Sequence, residues 1–305
     1  MYFLMTVDVE SFSIPLNRED PGVVRQVHEE GLPRLLSLLA KHDVCGTFYF
    51  TGTFAEASPE SVELVCEHGH EVGCHGYDHS PHRAFDLLSY EEQLNDLKKA
   101  KAIIEGVAGE IVSFRAPALR INEDTIKALE KVGFNSDSSV ASQRFDGPLT
   151  FGSKKKLRWL VAPRKPYMIS YTSTVKSGSS SILEIPISAM ILPFIGTMMR
   201  ISPSAFKVLQ KCLFHESKKT GKPVVFLFHP NECLDIGKRV VVTRRTNNPL
   251  EYLFADVIRH RLKLKNLGIA SLKLLDRVLV SASDYGFEFV RVNEYRKMYK
   301  ANLVS

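Results

Sequence analysis

Thr6-Val7-Asp8-Val9-Glu10 closes the apolar run that begins the chain and places two carboxylates two residues apart where a strand should end. Side chains alternate between the two faces of a strand, so Asp8 and Glu10 point the same way. Two acids on one face at the mouth of a sheet repel each other unless a proton or a metal sits between them. His75-Gly76-Tyr77-Asp78-His79 supplies the complement, a His-x-x-x-His spacing that can turn two imidazoles toward one cation. A carboxylate with two histidines is a metal site with open positions.

Beyond that first strand, apolar strands alternate with amphipathic helices, as βαβ units do. A helix ending in Gly31-Leu32-Pro33-Arg34-Leu35-Leu36-Ser37-Leu38-Leu39-Ala40 carries an apolar stripe and is followed by a strand from Cys45 to Thr51. Ser58-Pro59-Glu60 opens the next helix, and Glu71 to His75 reads as a strand. Ser89 and Glu92 form a capping box for a helix to Glu105, with a strand over Val112 to Arg115. Asn122 caps a helix to Lys131, and Gly133 stops it before a strand over Phe134 to Asp137. All of these strands are expected to be parallel. From Ser139 to Ser181 the regularity gives way to a basic insertion that holds the single tryptophan, Trp159. Order returns with a strand over Ile182 to Ile187, a helix from Ser202-Pro203 to Lys219, and a strand over Val224 to His229. A helical region from Pro249 to Ser281 and a strand over Phe287 to Val292 follow. With no repeat and no linker, the expectation is a single domain over residues 1–305 with an irregular insertion around 140–180.

The polar residues that carry chemistry recur at strand ends: Asp8 and Glu10 after the first, His75 and His79 after the third, Arg115 after the fourth, Asp137 at the fifth, and His229 near the end. In α/β barrels and open α/β sheets, the C-terminal ends of the strands are where catalytic groups are assembled. Composition narrows the context. The 305 residues, 44% of them hydrophobic, are enough to bury a full core. The five cysteines lack any C-x-x-C pair, which argues against a disulfide framework or a thiolate zinc site. Met1 to Val9 is too short and too soon acidic for a signal peptide or a membrane span, so a cytoplasmic protein is expected. The formal charge of +6 is clumped at Lys154-Lys155-Lys156-Leu157-Arg158, Arg164-Lys165, Lys238-Arg239, Arg244-Arg245 and Arg259 to Lys265. These read as solvated surface that attracts anions, and no nucleic-acid motif accompanies them.

Taken in order, the motifs resemble those of the polysaccharide deacetylases, carbohydrate esterase family 4, and specifically their Asp-Val-Glu branch. The resemblance runs from Thr6 to Glu232. Thr6-Val7-Asp8-Val9-Glu10 is similar to the first motif, whose aspartate is the general base, and His75-x-x-x-His79 to the second, which supplies two metal ligands. Phe114-Arg115-Ala116-Pro117 resembles the Arg-x-Pro motif, and Leu227-Phe228-His229-Pro230 the Leu-x-His motif that carries the general acid. Glu184-Ile185-Pro186-Ile187-Ser188 and Asn135-Ser136-Asp137-Ser138-Ser139 also look like segments of this branch. The fold this implies is a distorted (β/α) barrel of about seven parallel strands.

Three departures from the family pattern bear on the expected site. Val9 stands where the commoner motif has a second, metal-binding aspartate, so Glu10 is assigned as the ligand beside His75 and His79. Asp137 matches the fourth motif only loosely and is chosen over Glu184 as the carboxylate that partners His229. Ala118 stands where many family members have tyrosine, but the resemblance assigns the oxyanion contact to that residue's backbone N–H, which needs no side chain. The implied cofactor is a divalent metal, zinc by its match to two imidazoles and a carboxylate. Asp8, held by Arg115, would take a proton from water, and His229 would protonate the departing amine.

The function this implies is hydrolysis of an N-acyl group, N-acetyl in the first instance, from an amino sugar in a glycan or glycan precursor. A lipid-linked or nucleotide-linked sugar is the expected partner, with peripheral membrane contact through Ala189 to Met199 as a further reading. Trp159 and Tyr167 are the candidates for stacking on a sugar ring, and one tryptophan favours a short substrate over a polymer. The rivals are deformylation of a lipid-linked amino sugar, metal-free hydrolysis of a cyclic amide or imide as in allantoinase-like members, and a glycan-binding pseudoenzyme.

Overall fold

Tyr2–Val9 (β1) is buried along seven of its eight residues, as a strand covered on both faces must be. Its neighbours follow in chain order as Gly46–Phe50 (β2), Glu71–Cys74 (β3), Ser113–Phe114 (β4) and Ser136–Asp137 (β5). Then come Tyr167–Ser170 (β6), Ser173–Ser177 (β7), Leu183–Glu184 (β8), Val224–Phe228 (β9) and Glu288–Phe289 (β10). The computed structural model describes residues 1–144, 154–235 and 252–304.

In one sheet the strands run β9-β1-β2-β3-β4-β5-β8-β6-β7, with β10 beside the first residues of β1. The pairs from β9 through β8 are all parallel. Ser188, just past β8, donates its N–H to the Val225 carbonyl at 3.1 Å, and a parallel bridge joins Ile195 to Leu227. The sheet therefore curls back toward β9, which makes the fold the expected distorted (β/α) barrel. Apolar helix faces cover it. Leu32, Leu35, Leu36 and Leu39 are buried on the helix Leu32–Lys41, and the helix Tyr90–Ala108 starts at a complete capping box between Ser89 and Glu92. Asn122 caps Glu123–Val132, and Gly133 ends it at φ 89°, in the left-handed region that glycine adopts without a Cβ clash.

The insertion departs from expectation. β6 and β7 form an antiparallel hairpin, and β6 pairs antiparallel with β8, so this stretch extends the barrel sheet. Tyr167 and Ile169 face the core while Met168 and Ser170 are half-exposed, the period of two that defines a half-buried strand. Trp159 and Tyr167 are both only 4% exposed, and the Tyr167 hydroxyl donates to the Thr174 carbonyl, so neither offers a face to a sugar. The helical region expected from Pro249 to Ser281 is broken in its described part. Arg259–Lys263 and Ile269–Asp284 are separated by a turn in which Asn266 and Gly268 have φ of 51° and 62°. The clumps Lys238-Arg239 and Arg244-Arg245 lie outside the described residues. Among those described, no helix is long and apolar enough to cross a membrane.

Candidate active site

Arg115 follows directly after β4 with none of its surface exposed, and its guanidinium is held on all sides. One nitrogen, Nη1, donates to Asp8 Oδ1 at 2.8 Å; Nη2 donates to Thr6 Oγ1 and Ser138 Oγ, and Nε to the Ser138 carbonyl. The plane also lies over the Tyr49 ring at 4.5 Å. This planar fork fixes the Asp8 carboxylate at the C-terminal end of β1. Asp8 is 3% exposed, so the pair sits where water screens it little.

Glu10, His75 and His79 converge beside it. One ligand atom from each lies within 4.8 Å of the others, the only such His/Cys/Asp/Glu group among the described residues. His75 Nδ1 donates to the Arg115 carbonyl at 2.8 Å, which leaves Nε2 as a lone pair 3.8 Å from Glu10 Oε2. Burial pushes the His75 imidazole down, keeping it neutral as a ligand must be. Glu10 Oε2 lies 2.8 Å from His79 Nε2, while the Ala118 N–H points at that same nitrogen from 3.2 Å. At 2.8 Å, only a proton or a cation between Glu10 Oε2 and His79 Nε2 offsets the repulsion of their lone pairs. Burial alone would lower the His79 imidazole, but the Glu10 carboxylate, helped by Glu19 and Asp8, raises it to about 9. Burial opposes the Glu10 charge, and His79, His229 and His75 outweigh it, holding that carboxyl far below its usual range. The donor set fits a divalent cation.

His229 follows β9, and the pairing expected for it is corrected here. Its Nδ1 donates to Glu232 Oε1 at 3.0 Å, on the short 3-10 turn Pro230–Cys233. Asp137 instead accepts from Ser139 Oγ at 2.5 Å and lies against Glu184, whose other oxygen accepts from the Val140 N–H. Burial pushes Asp137 up to about 6 and Glu184 well above its ordinary value, so the two carboxyls share a proton. Asp137 is joined to the site through Ser139, whose hydroxyl accepts from the Ala116 N–H, and its charge also bears on Arg115. Burial disfavours the His229 imidazolium, but the hydrogen bond it donates to Glu232, with the charges of Glu10 and Asp8, raises its pKa above the ordinary value.

Ala118 is held at φ 53° in the turn Pro117–Leu119, with Leu119 at φ 54°. Consecutive left-handed residues with side chains are strained, and such strain gathers at functional sites. Two further groups went unread in the sequence. Glu232 had a signal, an acid three residues beyond His229, and Glu19 had none. Glu19 Oε1 reaches within 3.6 Å of His79 Nδ1 only because Phe12–Ser13 and Arg18–Glu19 pair as a small antiparallel ribbon.

The sequence model of the polysaccharide deacetylase family matches residues 20–136. A peptidoglycan deacetylase of Helicobacter pylori is 30% identical over 118 residues, 38% of this chain and 39% of that protein. A peptidoglycan deacetylase-like protein of Gibberella zeae is 32% identical over 114 residues, 36% of this chain and 33% of its own length. The chain thus spans well under half the length of either relative. The crystal structure of a candidate polysaccharide deacetylase from Mycobacterium smegmatis aligns with a TM-score of 0.63 at 18% identity, covering 99% of this chain and 91% of that one. This last likeness shows the shared barrel.

Proposed function

We propose that the chain is a polysaccharide deacetylase, as the family match over residues 20–136 and the shared barrel support, and that it hydrolyses the N-acetyl group of an amino sugar. The observation that carries this reading is the meeting, at the C-terminal ends of β1, β3, β4 and β9, of an arginine-held carboxylate, a Glu/His/His group and a histidine backed by a carboxylate. Asp8, fixed by Arg115, takes the proton of the water that attacks the amide carbon. The Ala118 N–H, presented by the strained turn, is the donor for the oxyanion. His229, kept protonated by Glu232, delivers a proton to the departing amine. Glu10, His75 and His79 would hold a divalent cation, zinc by the match of donor types, whose chemistry is Lewis acidity toward water and the acyl oxygen.

The enclosure of Trp159 and Tyr167 removes the sequence's two candidates for stacking on a sugar ring; the substrate we infer is a short amino-sugar conjugate, lipid-linked or nucleotide-linked. The test is acetate and formate release over a panel of N-acylated amino-sugar conjugates and oligomers with zinc present. Acetate from at least one is expected. Formate alone would overturn the acyl assignment, and release from none would overturn the function.

A further inference from the structure

Arg200 is, after Arg115, the largest fully buried side chain among the described residues, at 1% exposed. It lies on the short helix Gly196–Ile201, which the Ile195–Leu227 bridge sets beside β9. Its Nε donates to Glu232 Oε2 at 2.5 Å, and Nη1 donates to the carbonyls of Lys263 and Lys265 at 2.6 and 2.8 Å. Asn266 in turn donates to the Arg200 carbonyl, and the Gly268 N–H to the Glu232 carbonyl, so the turn between the two C-terminal helices clamps both partners. Close approach is built in: a Cβ on Gly196 would stand 2.6 and 2.8 Å from the two Glu232 oxygens.

Glu232 is therefore a fully buried carboxylate with one cationic partner on each oxygen, His229 on Oε1 and Arg200 on Oε2. The proton in the His229–Glu232 hydrogen bond has two resting places. On Nδ1 it leaves an ion pair; on Oε1 it leaves a neutral imidazole and a carboxylic acid, which a dry interior favours when nothing else intervenes. Arg200 intervenes. Moving the proton to Glu232 would strand the guanidinium as an unpaired buried cation, and breaking a buried pair in that way is strongly unfavourable.

We propose that Arg200 is a positioning residue that holds this proton on His229, so that the general acid stays an imidazolium aimed into the site. The inference rests on the deacetylase reading for its consequence, not for its test. The other charged groups acting on His229 are Glu10 and Asp8, across the site, and both favour the same state. Because Arg200 works only through Glu232, the two residues must be energetically coupled.

The experiment is 15N NMR of the His229 ring in the full-length protein at neutral pH, with kcat and KM measured on the same samples. Wild type should give the imidazolium signature and Arg200→Met a neutral ring. In Arg200→Met, kcat should fall at least about 10-fold at unchanged KM, part of the roughly 100-fold that a positioned acid contributes. Arg200→Lys keeps the charge and should keep the imidazolium. In the Glu232→Gln background, adding Arg200→Met should cost little more. A folded Arg200→Met with a wild-type ring signature would overturn the proposal, and so would a double variant whose losses multiply. If Arg200→Met does not fold, a neutral ring in Arg200→Lys overturns it equally, and the double variant, with no charge left unpaired, still reads the coupling. Wild type that releases no acetate would defeat the functional reading and leave the ring measurement intact.

Discussion

In the proposed mechanism Asp8 and His229 divide the proton traffic between them, one accepting and one donating, and neither belongs to the Glu/His/His group. Asp8→Asn and His229→Ala should each lower kcat/KM by roughly 100-fold or more while leaving the fold intact, the usual contribution of a positioned acid or base. Near-wild-type turnover in either would remove that residue from the chemistry. The pH profile gives a sharper test of Glu232. His229 works as an acid only while protonated, and its folded-state pKa is raised, so activity holds below that value and is lost as pH rises through it. Glu232→Gln removes the partner that raises it, and the alkaline limb of kcat/KM should move to lower pH. An unmoved limb would mean that Glu232 does not set the histidine's charge. Asp8, Glu10, His75, His79, Arg115 and His229 were legible in the sequence because strand ends concentrate functional side chains. The partner of His229 was not, since a strand-end position and a loose match to the fourth motif put Asp137 in view. Two residues on from it, the Ser139 hydroxyl captures the Asp137 carboxylate, while a 3-10 turn brings Glu232 back onto the imidazole from three residues away.

Gly76 shows how loop backbone holds these side chains together. It sits at φ 70° between His75 and His79 in the chain, and a Cβ there would stand 3.0 Å from the Phe85 ring and 3.1 Å from Pro117, the first residue of the turn that carries Ala118. Gly76→Ala should therefore cost about 1–3 kcal/mol through left-handed strain and crowding. It should also weaken zinc binding, because Phe85 and Pro117 brace the loop from both sides. Thermal unfolding and calorimetric zinc titration check the two effects; full stability with wild-type zinc affinity would contradict this packing account. Helices with caps at Ser89 and Asn122, and strands with bulky apolar runs, could be read from sequence because local chemistry fixes them. The hairpin of β6 and β7 was hidden by the basic, Ser- and Gly-bearing composition around it. Its alternation of Tyr167, Met168, Ile169 and Ser170 is only four residues long, and its partner β8 is needed to make it a strand.

Through β1 the first and last parts of the chain become one sheet, with β2, β9 and β10 all paired to it. The seven parallel strands from β9 to β8 were implied by the family resemblance, whereas the closure through Ser188 and Ile195 depends on contacts between distant segments. A ligand that binds only the folded barrel stabilises all of it, so zinc at about 100 times its Kd should add about 2.7 kcal/mol and raise Tm. Glu10→Ala should abolish that shift, and Glu10→Gln, which keeps an oxygen but no charge, should leave part of it. A Tm that ignores zinc in wild type would exclude Glu10, His75 and His79 as a cation site. The central claim is that this site removes N-acetyl groups with the help of a metal held by those three residues. It is tested most directly by acetate release from N-acetylated amino sugars before chelation, after chelation, and after zinc is returned. The account predicts release that is lost on chelation and restored by zinc in wild type but not in Glu10→Ala; undiminished release from the metal-stripped wild type would contradict it.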